Sequence, residues 1–120
     1  MPGKIMIVDD EMHLARILQF TLEHAGYEVV TAFDGREALD SLDREDPDLV
    51  ILDLMLPIVD GYKICNIMRK GEKYRDTPVI ILSARDFSRE ELDEPLNADL
   101  LMEKPFNTEY LLEEIARLMG

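Results

Sequence analysis

The sequence of 120 residues has no tryptophan and one cysteine, Cys65. A lone cysteine excludes an internal disulfide framework and a four-cysteine zinc site. No apolar run approaches the ~20 residues of a membrane-spanning helix. Met1-Pro2-Gly3-Lys4 leads directly into a strand-like run, without a signal-peptide core. Positive charge is scarce: 13 Lys+Arg stand against 26 Asp+Glu, a formal net charge of −13. With no basic stripe to neutralise phosphates, direct nucleic-acid binding is not expected. Anionic membrane surfaces are disfavoured for the same reason. There is no Walker motif, and no hydroxyl- and glycine-rich phosphate loop follows the first strand-like run. What remains is 47% apolar, with four Phe and four Tyr. That suits one globular domain in the cytoplasm, large enough to fold without staples.

Short apolar runs alternate with amphipathic stretches. Strand-like segments are Ile5–Val8, Tyr27–Ala32, Leu49–Leu52, Pro78–Leu82 and Leu100–Met102. Helical periodicity places Leu14, Ile17, Leu18, Leu22 and Ala25 on a first helix, stopped by Gly26 as a left-handed cap would. Ala38, Leu39 and Leu42 mark a second helix after the Asp34-Gly35 turn, and Pro47-Asp48 breaks it. Gly61 opens a third through about Lys70, with Ile64, Cys65, Ile67 and Met68 as its apolar residues. Ser88–Leu96 reads as a weak, acidic fourth helix carrying Pro95. The last helix runs from Thr108 to Met119, with Leu111, Leu112, Ile115 and Leu118 inward and Asn107 as N-cap. The order βαβαβαβαβα predicts an α/β, three-layer, doubly wound sandwich of flavodoxin type. Its five-stranded parallel sheet has the order 2-1-3-4-5. The first, third and fourth runs are continuously apolar, as central strands buried on both faces are.

In such sheets the site lies beyond the carboxyl ends of the strands, where the winding reverses. Asp9, Asp10 and Glu11 follow the first strand, Asp53 the third, Ser83 the fourth and Lys104 the fifth. Each alone has an ordinary reading: Asp9-Asp10 and Ser83 as turn residues, Lys104 as a solvated cation. Together they place three carboxylates in one crevice. Each close pair repels by about 4 kcal/mol at ~4 Å and an effective dielectric near 20, so a cation is required. Hard oxygen ligands favour Mg²⁺, and the lack of His or Cys at these strand ends disfavours zinc. Carboxylate, divalent metal, ammonium and hydroxyl around one point suit in-line phosphoryl transfer, with a carboxylate as nucleophile. His13 and His24 read as surface residues, and Cys65 as a small core residue. Glu90-Glu91, Asp93-Glu94 and Glu113-Glu114 read as solvated faces.

Asp9-Asp10-Glu11, Asp53-Leu54-Met55-Leu56-Pro57, Pro78 through Arg85, and Lys104-Pro105-Phe106 occur in order. In this, essentially the whole chain resembles the receiver domain of two-component response regulators. The resemblance implies that Asp53 accepts a phosphoryl group from a sensor histidine kinase or a histidine phosphotransfer protein. It implies that Asp10, Asp53 and the Met55 backbone carbonyl ligate Mg²⁺, with Asp9 acting through water. It implies that Ser83 contacts the phosphoryl group, that Lys104 pairs with it, and that Lys104-Pro105 is cis. The chain would then be a switch rather than a turnover enzyme, catalysing phosphoryl transfer only to itself. It would bias a face built from the fourth helix, the fifth strand and the last helix. Residues 1–120 are expected to form one receiver domain, acting on an output domain or downstream protein outside this chain. Dimerisation through that face is common in the family, so a weak homodimer is among the expectations.

Departures from the family pattern carry their own expectations. Leu101 stands where the family commonly has an aromatic switch residue. Asn97 replaces the usual glycine before Ala98-Asp99, and Pro95 interrupts the preceding helix, predicting a short, displaced or mobile segment. Met55 and Arg85 occupy the positions that tune phosphate lifetime, and neither is a water-positioning group, so slow self-dephosphorylation is expected. A pseudo-receiver scaffold is the alternative. A Mg²⁺-dependent phosphatase would want a second acid two residues after Asp53, where Met55 stands.

Overall fold

The period of two in the strands sorts the apolar side chains into two cores. The computed structural model describes residues 3–84 and 98–120. Its strands are β1 (Lys4–Val8), β2 (Glu28–Ala32), β3 (Leu49–Asp53), β4 (Val79–Ser83) and β5 (Leu100–Glu103). All pair in parallel, in the order β2-β1-β3-β4-β5. The helices among the described residues are α1 (Met12–His24), α2 (Gly35–Glu45), α3 (Gly61–Lys70) and α4 (Thr108–Met119). Ile5, Ile7, Leu49, Ile51, Ile80 and Leu82 point to one face, where they meet Ala15, Leu18 and Leu22 of α1 and Leu111 and Ile115 of α4. Met6, Val8, Val50, Leu52, Val79 and Ile81 point to the other, against Ala38 and Leu42 of α2 and Ile64, Cys65 and Met68 of α3. Successive strand residues thus alternate between helix layers, and β3 and β4 are buried along their whole length.

The architecture expected from the sequence is the one observed, and the strand ends move by a residue. Gly26 has φ 103° after α1, the left-handed conformation that a glycine adopts without steric cost. Asp34, Asp60 and Asn107 cap α2, α3 and α4, each accepting the backbone N–H three residues on. Cys65 is fully buried, and His13 and His24 are exposed, His24 stacked on Phe20. Two helix stripes need correction. Ile17 is 62% exposed and Ala25 lies beyond the end of α1; the buried stripe is Ala15, Leu18 and Leu22. A residue one step from Leu18 is turned about 100° around the helix, and that rotation takes Ile17 out of the core. Ile67 is likewise exposed, because α3 buries Ile64, Cys65 and Met68. The expected helix Ser88–Leu96, with Pro95, Asn97 and Arg85, lies outside the described residues.

Two glycines fix the loop after β3 against the sheet edge. A Cβ on Gly61 would fall 2.2 Å from the Asp53 carbonyl oxygen, and one on Gly35 would fall 1.8 Å from the Val59 carbonyl oxygen. Their N–H groups donate to Leu54 O and Pro57 O respectively, so the loop Leu54–Asp60 is closed at its ends and tied to the start of α2 at its middle. None of the helices among the described residues is long and apolar enough to cross a membrane.

Candidate functional site

The carboxyl ends of β1, β3, β4 and the turn after β5 meet at one edge, and the sheet register brings them level. Asp9 follows Val8, which pairs with Leu52; Asp53 pairs with Leu82; Ser83 pairs with Glu103. Asp9 is 2% exposed and Asp53 6%, both far from ordinary for aspartate. The two carboxylates are held alike. One oxygen of each accepts the N–H two residues on: Glu11 N to Asp9 Oδ1 at 2.8 Å, Met55 N to Asp53 Oδ1 at 3.0 Å. The other oxygen of each accepts from Lys104 Nζ, at 2.9 Å for Asp9 Oδ2 and 3.2 Å for Asp53 Oδ2. Asx turns at strand ends thus aim both groups inward, and a single ammonium bridges them.

Lys104 is tied to the end of β4, its backbone N–H donating to Ser83 O at 2.7 Å, and the Lys104–Pro105 peptide is cis. The lysine side chain is only 12% exposed. Asp10 is exposed, yet Asp9, Asp10 and Asp53 each offer an oxygen within 4.8 Å of the others. Ser83 is fully buried at the end of β4. Met55 is 59% exposed at the rim. The residues singled out in the sequence therefore share one edge. Two contacts were not legible there. Lys104 approaches Asp9 more closely than Asp53, and Glu11 Oε1 lies 3.6 Å from the same ammonium.

Burial raises the Asp53 carboxyl above the ordinary aspartate range, and the neighbouring Asp9 charge adds to this. The Met55 N–H and the Lys104 ammonium oppose it. Burial would lower the Lys104 ammonium, but the Asp9 carboxylate, then Asp53, outweigh that and raise it above 10.5. The site therefore holds its lysine charged while carrying more negative charge than that lysine balances. Three carboxylate oxygens this close, with no imidazole or thiolate in the set, fit a hard divalent cation such as Mg²⁺.

A family model described as the response regulator receiver domain matches residues 5–116. The chemotaxis response regulator CheY4 of Vibrio cholerae is 32% identical, over 98% of this chain and 99% of that one, with a TM-score of 0.88. A response regulator protein of Thermotoga maritima, solved in complex with Mg²⁺ and BeF, is 36% identical over 98% and 99% of the two chains, with a TM-score of 0.85. The signal receiver domain of a histidine kinase from Syntrophus aciditrophicus is 32% identical over 98% of this chain and 89% of that one, with a TM-score of 0.84. A family match over nearly the full length, together with solved structures of the same fold at 32–36% identity, places the protein: it belongs to the response regulator receiver domains of two-component signalling.

Proposed function

We propose that Asp53 is the acceptor in a Mg²⁺-dependent phosphoryl transfer from the histidine of a sensor kinase or phosphotransfer protein. The observation that carries this reading is the Lys104 ammonium held between two buried aspartates, with a third carboxylate alongside. An Asp53 oxygen attacks phosphorus and forms the new P–O bond. The P–N bond to the donor imidazole breaks, and its electron pair stays on nitrogen. The Met55 N–H fixes the orientation of the nucleophile, which is the entropic part of the catalysis. Lys104, 3.2 Å from Asp53 Oδ2, is placed to pair with the oxygens of the entering group, and Ser83 supplies a hydroxyl at the adjacent strand end. Asp10, Asp53 and the Met55 carbonyl would hold Mg²⁺, with Asp9 acting through water. The ion would supply charge neutralisation for the carboxylates and the incoming phosphoryl oxygens.

The acyl phosphate exchanges a monoanion for roughly a dianion, a local gain of about one charge with strong acceptor oxygens. Lys104 follows that charge and leaves Asp9. Because Lys104 continues directly from β5, the change passes along β5 toward its exposed side, and so to an output domain or downstream protein. Leu101, 40% exposed on β5, offers a leucine there in place of an aromatic switch.

Intact mass after incubation with a small-molecule phosphodonor and Mg²⁺ tests this reading. One phosphoryl group is expected on the native chain, and none on Asp53→Asn or without metal. A folded, Mg²⁺-binding chain that gains nothing would instead be a pseudo-receiver scaffold.

A further inference from the structure

α1 is the exception among the helix starts of the described residues. The N-cap side chains of α2, α3 and α4 each accept a hydrogen bond from their own helix, whereas Glu11, the N-cap of α1, makes no side-chain cap bond. Its backbone N–H is fixed by Asp9 Oδ1, and its carboxylate lies 3.6 Å from Lys104 Nζ. The Glu11 side chain is 63% exposed, against 3% and 7% for those of Asp9 and Asp53. Glu11 and Lys104 line a groove of about 410 Å³ with Leu18, Pro105 and Phe106. The buried aspartates thus take the inner side of the ammonium, and Glu11 takes the outer side, toward solvent.

We propose that Glu11 is a specificity-determining residue for the phosphodonor: a fixed negative charge at the mouth of the site that disfavours donors in proportion to their own negative charge. The inference rests on Asp53 being the phosphoacceptor. Glu11 competes with the entering phosphoryl oxygens for the outer side of Lys104, and it repels the donor as it approaches. An anionic small-molecule donor meets both effects. A phosphoryl group carried on a histidine ring that is protonated at its other nitrogen has part of its charge offset by that cationic ring, which leaves as neutral imidazole with the electron pair of the P–N bond. The carboxylate therefore favours transfer from a protein histidine over transfer from free dianionic acyl phosphates.

Two donors of different charge separate this role from a structural one. Acetyl phosphate is a dianion at neutral pH; its P–O bond breaks and acetate leaves with the electron pair. Phosphoramidate is a net monoanion bearing a protonated nitrogen; its P–N bond breaks and ammonia leaves. At ~6 Å in a water-like dielectric, one unit charge changes the encounter of another by roughly threefold. Glu11→Gln is therefore expected to raise the rate of mass gain roughly threefold with phosphoramidate and roughly tenfold with acetyl phosphate. Both gains should shrink toward one in 1 M salt, where the screening length falls to about 3 Å. Glu11→Asp, which keeps the charge, should keep the wild-type ratio between donors. Equal factors for the two donors, or factors indifferent to salt, would overturn the proposal and leave Glu11 an ordinary helix start. A wild-type chain that accepts phosphate from neither donor would overturn the phosphoacceptor reading, and this inference with it.

Discussion

Lys104→Met tests the electrostatic account of the site most directly. The ammonium sits 2.9 Å from Asp9 and 3.2 Å from Asp53, with the lysine side chain 12% exposed. At an effective dielectric near 20, each contact is worth about 5 kcal/mol of Coulomb attraction. Desolvation of the three charged groups cancels much of that sum, so the net loss on removing one partner is about 3 kcal/mol. Methionine fills nearly the same volume, which keeps the cavity term small. In urea with EDTA at pH 7.5, a slope of ~1–3 kcal/mol/M puts the midpoint about 1–3 M below wild type. The pH dependence carries the sign. The raised Lys104 pKa gives wild-type stability that is fully present below about 10.5 and is lost as pH rises through the folded-state value. The Asp53 carboxyl is already raised by burial, so the folded state binds its proton more tightly than the unfolded chain does. Without the lysine it is raised further, and stability falls more steeply as pH climbs from the ordinary aspartate range. The variant should therefore approach wild type at pH 4 and fall away by pH 7.5. Mg²⁺ should restore more stability to the variant than to wild type, because no ammonium then competes for the carboxylates. A loss under ~1 kcal/mol at pH 7.5, or an equal loss at both pH values, would refute the argument, since a buried bridging cation costs several times that to remove.

Asp53→Asn removes a buried charge while its amide oxygen can still accept the Met55 N–H. It should be more stable than wild type at pH 7 in EDTA, with the gain fading as acid protonates the wild-type aspartate; pH-resolved urea titrations check this. Ile58 is a β-branched residue at φ 72° and 74% exposed, so Ile58→Asn should relieve strain worth about 1 kcal/mol and raise the thermal midpoint by a few degrees. Gly61→Ala would drive a Cβ into the Asp53 carbonyl, and we expect a lower thermal midpoint together with weaker Mg²⁺ binding by titration calorimetry. The Cys65 thiol is fully buried and pushed up by that burial, so a thiol reagent at neutral pH should label it only at the rate at which the native chain opens.

The sheet and the edge where the site forms were legible because their signals are local and repeat. Runs such as Leu49–Leu52 announce a strand buried on both faces, and each ends at a polar residue that the topology carries to the same edge. The helix stripes were less legible, because apolar identity does not reveal rotation about the axis. Ile17 looked inward and is exposed, whereas Ala15, too small to stand out, is fully buried. Asp9, Asp53 and Lys104 could be placed in one crevice from their strands alone. How the lysine divides itself among carboxylates is set by side-chain geometry across 95 residues of chain, which no local pattern encodes. The glycines show the same limit. Gly61 was read as a helix start, while its contact with the Asp53 carbonyl appears only once β3 and α3 are packed.

That contact bears on why the site can hold so much like charge. Asp53 cannot retreat: the backbone at Gly61 lies so close to its carbonyl that no Cβ would fit between them, its Oδ1 is held by the Met55 N–H, and its strand lies between β1 and β4. Asp9 is pinned by the Glu11 N–H and by its own N–H to Ala32 O. Mobile carboxylates would relieve their repulsion by moving apart, at the expense of the preorganised charge distribution that phosphoryl transfer uses. Here the backbone prevents that, and the relief must come from a cation. Lys104 supplies one positive charge against Asp9, Asp53 and Glu11, with Asp10 alongside, so the edge keeps a deficit of positive charge whichever carboxylate the lysine favours. A rigid, undercompensated cluster of this kind gains more from a divalent ion than a flexible one would, because no carboxylate must first be drawn in. Under the proposed phosphorylation, the same rigidity would leave the response to a new charge on Asp53 to side chains rather than to the backbone, with Lys104, which continues from β5, bonded directly to that carboxylate.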